Sequence, residues 1–143
     1  MHPAASLVSS VLGAPSAGIA FDASYGSSMV LQQSPAKACI TGTLGADCTG
    51  ATLTVLDAAS GATYDVAAAL RPPAPAAGSD RRWKACLTPA PAGGDFTLTA
   101  RCDGGGVRRA GAAPPPLRAA PAINISAVTF GEVWYCGGEH GVL

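Results

Sequence analysis

Ala51-Thr52-Leu53-Thr54-Val55-Leu56 alternates along its length, with Leu53 and Val55 on one face and the threonines on the other. A period of two is the pattern of a half-buried strand, because successive side chains leave a strand on opposite sides. Trp83-Lys84-Ala85-Cys86-Leu87 repeats the pattern, with Trp83, Ala85 and Leu87 facing one way. Ala38 to Gly42 alternates too, and Phe96 to Ala100 is read as a strand after the Pro/Gly-rich turn Pro89–Gly94. Ile19–Phe21, Ser28–Gln32, Thr63–Val66 and Ile123–Val128 complete the set, and Gly/Asp turns, Ser34-Pro35 and Ser60-Gly61 separate its members. Short strands at this spacing, with no helix of ordinary length, predict an all-β fold, either a jelly-roll or an immunoglobulin-like β-sandwich.

Length and composition bound the rest. The 143 residues suffice for one domain with a core. However, 30 alanines, 18 glycines and 12 prolines contribute little burial energy, so the core rests on a few large apolar side chains. Nine basic residues balance nine acidic ones, which excludes the basic footprint of a nucleic-acid binder. Arg81-Arg82 and Arg108-Arg109 read as solvated ends of strands or loops. No run of 18 apolar residues predicts a membrane span. Residues 1–18 are expected to be a disordered tail or a poor signal peptide, since no Lys or Arg precedes the small residues from Ala4 to Ala20. Two Pro/Ala/Gly-rich runs, Arg71–Asp80 and Ala110–Pro121, read as loops.

The five cysteines contain no C-x-x-C pair, so no metal site is expected and no cofactor is implied. Hairpins would bring Cys39 near Cys48, or Cys86 near Cys102. Small buried thiols are the equal alternative. Asn124-Ile125-Ser126 is an N-glycosylation sequon, usable only in a secreted chain.

The closing stretch, Ala127-Val128-Thr129-Phe130-Gly131-Glu132-Val133-Trp134-Tyr135-Cys136-Gly137-Gly138, reads as a strand, a glycine turn and a second strand. Val133–Cys136 suits a strand buried on both faces of a parallel sheet, and without that sheet Trp134 and Tyr135 are expected to stand exposed.

Three blocks together resemble the sialate O-acetylesterase family. Phe21-Asp22-Ala23-Ser24-Tyr25 with Ser28-Met29-Val30-Leu31-Gln32-Gln33-Ser34-Pro35 is similar to the family's opening F-x-A-S-Y…M-V-L-Q-x-x-P. Trp83 to Leu87 with Pro91-Ala92-Gly93-Gly94-Asp95-Phe96-Thr97-Leu98 resembles its W…L-x-P-x-x-x-G-G-P-[FY]-x-L, and Ile125 to Gly138 resembles I-x-x-V-x-F-G-D-V-W-L-C-S-G. The resemblance implies a β-sandwich over 19–130. It also implies, over 131–143, the truncated first strand of a missing α/β SGNH-hydrolase domain. The implied reaction removes O-acetyl groups from sialic acid or other acetylated sugars, and the implied location is secreted, lysosomal or vacuolar.

After Gly138 the match stops. Glu139-His140-Gly141-Val142-Leu143 stands where the family has Q-S-N-M and its successor, and His140 occupies the nucleophile's place. Ester hydrolysis needs a hydroxyl, a base and oxyanion donors. No catalytic residue is therefore assigned, and these residues alone are expected to be inactive. Cys136 and His140, four apart, would lie roughly 13 Å apart along a strand, too far for a dyad. The alternative reading is a stand-alone carbohydrate- or protein-binding sandwich. In that reading Trp83, Trp134, Tyr25 and Tyr64 offer a stacking platform, although aromatic residues in strands more often fill cores.

Overall fold

A computed structural model describes residues 18–72, 81–104 and 121–134. Among these residues the chain forms strands β1 (Ile19–Phe21), β2 (Val30–Gln32), β3 (Cys39–Leu44), β4 (Gly50–Asp57) and β5 (Thr63–Ala67). Strands β6 (Ala69–Arg71), β7 (Arg81–Cys86), β8 (Gly93–Asp103) and β9 (Ala122–Gly131) follow, and there is no helix among the described residues. The all-β expectation is met.

The strands make two sheets. One has the order β1-β3-β7-β6 and is antiparallel throughout. The other has the order β2-β9-β8-β4-β5, antiparallel except where β2 runs parallel to β9. Alternation decides what each strand buries. Ile40, Gly42 and Leu44 of β3 point inward with Trp83 and Ala85 of β7; Leu53 and Val55 of β4 do so with Leu98 and Ala100 of β8. Apart from Gly42, both sets belong to one cluster that also takes in Leu87, Val128 and Phe130. Phe96 and Phe130 meet edge to face at 5.0 Å, and Phe21 meets Trp83 in the same way at 5.8 Å.

The threonines of β4 face outward into a polar ladder. Thr54 donates to Asp65 at 2.6 Å and accepts from Arg101 at 2.9 Å, while Thr52 donates to Asp103 at 3.0 Å. Between β4 and β5, Asp57 closes the turn: its carboxylate accepts from the Ser60 hydroxyl and the Ala59 amide, and these bonds, the first above all, hold its pKa below the ordinary aspartate value.

Several expectations need correction. The cysteines pair as Cys39–Cys86 and Cys48–Cys102, not within hairpins. The hairpin reading fails because β3 and β4, although consecutive, lie in different sheets, so β3 meets β7 instead. Arg71 is not the start of a loop; it ends β6, which pairs with β7 after the chain crosses sheets at Ala68. Gly93 and Gly94 belong to β8 rather than to a turn, with φ of 96° and 84°. Strand β9 is not regular over Ile123–Val128, because Ala127 takes a left-handed φ of 54° between buried Ile125 and Val128. The strand runs on to Gly131, and the described part of Val133–Cys136, Val133 and Trp134, is not strand.

The pair Arg81-Arg82 is split by the sheet. Arg82 is exposed and bridges to Asp22 at 2.6 Å, whereas Arg81 reaches the carbonyl of Cys48. The tail 1–17, the loop residues 73–80 and 110–120, Arg108-Arg109, and His2, Tyr135, Cys136 and His140 lie outside the described residues.

Candidate functional site

The parallel pairing of β2 with β9 brings together residues about a hundred positions apart. Val30, Leu31 and Gln32 lie beside Thr129, Phe130 and Gly131. Beyond the ladder the two segments stay joined, since the Gln33 amide donates to the Gly131 carbonyl at 2.8 Å and the Val133 amide donates to Gln32 Oε1 at 3.2 Å. The Ser34 amide donates to the Ala90 carbonyl at 2.7 Å, which fixes the turn that follows β2. The result is an open groove of about 300 Å³ lined by Gln32, Gln33, Ser34, Pro35, Glu132, Val133 and Trp134.

Trp134 is 82% exposed and Val133 also stands out of the fold. An indole beside two amide side chains, a hydroxyl and a carboxylate can stack on a ring and hydrogen-bond its substituents. No histidine lies among the described residues, and no cluster of three or more His, Cys, Asp or Glu there could hold a metal ion.

The aromatic platform is not assembled. Trp83 is 1% exposed, and its Nε1 donates to the carbonyls of Thr43 at 3.1 Å and Ala20 at 3.3 Å, so it belongs to the core. Tyr25 packs against the core and donates its hydroxyl proton to the Cys39 carbonyl at 3.0 Å. Tyr64 is exposed on β5, at the opposite edge of the second sheet from β2. Only Trp134 lies in the groove.

Asn124 sits on β9 opposite Thr99, exposed on the outer face beside an open hollow of about 400 Å³ lined by Thr99, Ala122, Ile123 and Asn124. Its side chain is accessible to a glycosyl group. The groove itself was not legible from spacing, because its two walls meet only through a ladder that no local pattern encodes. The neighbouring Gln32-Gln33 and the apolar Val133-Trp134 were the only signal.

No protein-family model matches the chain, and no curated protein matches it.

Proposed function

We propose that the chain is the β-sandwich and first hydrolase strand of a sialate O-acetylesterase-like carboxylic ester hydrolase, contributing no catalytic residues of its own. The observation that carries the reading is the order of the three sequence blocks, from Phe21 to Pro35, from Trp83 to Leu98 and from Ile125 to Gly138. Two sheets sharing one core, nearly all antiparallel, support the sandwich form, whether jelly-roll or immunoglobulin-like. An exposed indole directly after β9 supports the expectation that another sheet covers this segment in the whole enzyme. The substrate class is an O-acetylated sialic acid or a related acetylated sugar. Two disulfides and an accessible sequon support a secreted, lysosomal or vacuolar setting. No described helix is long and apolar enough to cross a membrane.

The purified 143-residue chain is expected to hydrolyse 4-nitrophenyl acetate and O-acetylated sialic acid no faster than buffer does. Turnover that disappears in His140→Ala would overturn the assignment of catalysis to residues outside this sequence. Sequencing the transcript across Gly138 tests the fragment reading: an encoded G-Q-S-N-M continuation supports it, and a natural stop counts against it.

The groove favours a second reading, a free-standing sugar-binding module in which Trp134 stacks on the ring and Gln32, Gln33 and Glu132 read its hydroxyls. On a glycan array this reading expects micromolar binding that Trp134→Ala abolishes. An array without signal leaves the hydrolase reading alone.

A further inference from the structure

The two disulfides differ in position and access. Cys48 and Cys102 are 1% and 2% exposed, and their bond ties the β3–β4 connection to β8 in the other sheet. Cys39 and Cys86 sit directly opposite each other in the β3–β7 ladder, on the outer face of the first sheet. Cys86 is exposed and Cys39 is partly covered. Lys84, two residues before Cys86 on the same face, and Lys37, two before Cys39, are the nearest cations in sequence.

We propose that Cys39–Cys86 is a surface thiol–disulfide exchange site, open to a small thiol reductant while the fold stays intact, and that it controls the order of the groove wall next to it. The reading does not depend on the hydrolase assignment. A thiolate attacks the exposed Cys86 sulfur; a sulfur–sulfur bond forms to the reductant as the Cys39–Cys86 bond breaks. The electron pair leaves on Cys39 Sγ, which takes a proton from water. That sulfur lies 3.9 Å from the Lys37 carbonyl, an acceptor for the new thiol. A second thiolate then attacks the reductant's sulfur in the mixed disulfide, expelling Cys86 as a thiolate that is protonated in turn. The protein disulfide gains two electrons, and two reductant thiols become one disulfide.

The ladder explains why the change is reversible. From Ile40↔Ala85 to Leu44↔Arg81 the strands remain paired, so the freed thiols stay opposite each other and can reoxidise. The bond's local effect falls on the turn that precedes β3. Residues 33–38 are held to residues 87–90 by the Leu87 amide on the Ala38 carbonyl at 2.8 Å and the Ser34 amide on the Ala90 carbonyl at 2.7 Å. The disulfide clamps one end of this pair of segments, and Gln33, Ser34 and Pro35 form one wall of the groove.

The test uses the full chain, with thiols already free capped by N-ethylmaleimide, and dithiothreitol from micromolar to millimolar. New thiols are alkylated and mapped by mass spectrometry while circular dichroism follows the fold. Cys39 and Cys86 are expected to label at roughly tenfold lower reductant than Cys48 and Cys102, with the β signal unchanged. Amide exchange at Ser34 and Leu87 should rise by roughly tenfold on this reduction, as it should in Cys39→Ser/Cys86→Ser, while the β8 and β9 amides hold. Joint labelling of all four cysteines, or labelling only as the β signal collapses, would overturn the exchange site. Unchanged exchange at Ser34 and Leu87 in the reduced, folded protein would overturn its control of the groove.

Discussion

Gly42→Ala is expected to lower the melting temperature by on the order of 20 °C, because nothing around Gly42 can yield to a methyl group. A Cβ built at this position stands 2.0 Å from the Ala20 carbonyl oxygen and 2.7 Å from two carbons of the Trp83 indole. The first obstacle is backbone of the neighbouring strand, where Phe21 is the register partner of Gly42. The second is a ring at 1% exposure, wedged against Phe21 and tied by its Nε1 to two carbonyls. Moving the ring breaks those hydrogen bonds inside the core; moving the strand opens the edge of the first sheet. Overpacking together with unpaired buried polar groups costs about 4 kcal/mol, a large share of the 5–15 kcal/mol that holds a typical domain together. Gly26→Ala is the control, since a Cβ there meets nothing within 4 Å. Trp83→Phe should not rescue Gly42→Ala, because the closer obstacle is a carbonyl that no side-chain change removes. Thermal unfolding followed by circular dichroism reads all four proteins. A Gly42→Ala melting point equal to that of Gly26→Ala would mean that β1 and Trp83 do not pack as described.

What the sequence disclosed and what it hid follow from range. Leu53, Val55, Trp83, Ala85 and Leu87 were legible as core because alternation is a local property of a strand, and all five are buried. Strand β6 was hidden: Ala69-Leu70-Arg71 is exposed at every position, and it is held in place by pairing with the edge of β7 rather than by propensity of its own. The glycines of β8 read as a turn because they close a run rich in Pro and Gly; here they keep the left-handed φ common in turns, and register shifts between Gly93, Phe96 and Leu98 accommodate them within the ladder. The disulfide partners lie 47 and 54 residues apart, and predicting them required the sheet order, which spacing does not contain. The groove failed for the same reason. The exposure of Trp134 was legible because the run Val133–Cys136 reads as a segment meant for burial on both faces of a parallel sheet, and among the described residues Trp134 is 82% exposed.

Replacing the buried disulfide, Cys48→Ala/Cys102→Ala, is expected to cost more than replacing the exposed one, Cys39→Ala/Cys86→Ala, although both close loops of similar length. For loops of 47 and 54 residues the chain-entropy model gives about 4 kcal/mol each. Loop length therefore cannot separate the two, and burial must. At Cys86 the sulfur leaves an exposed surface, so little is added. At Cys48 and Cys102, which are 1% and 2% exposed, truncation empties space in the core, adding about 1 kcal/mol per sulfur. The total of about 6 kcal/mol approaches the whole stability of a marginal domain, so this variant should be largely unfolded at 37 °C while the other remains folded with a lowered urea midpoint. Urea titration followed by the fluorescence of buried Trp83 gives both values. Equal losses would show that the core closes around the missing sulfurs. A greater loss in Cys39→Ala/Cys86→Ala would show that the β3–β7 ladder depends on its covalent link more than the core depends on Cys48–Cys102.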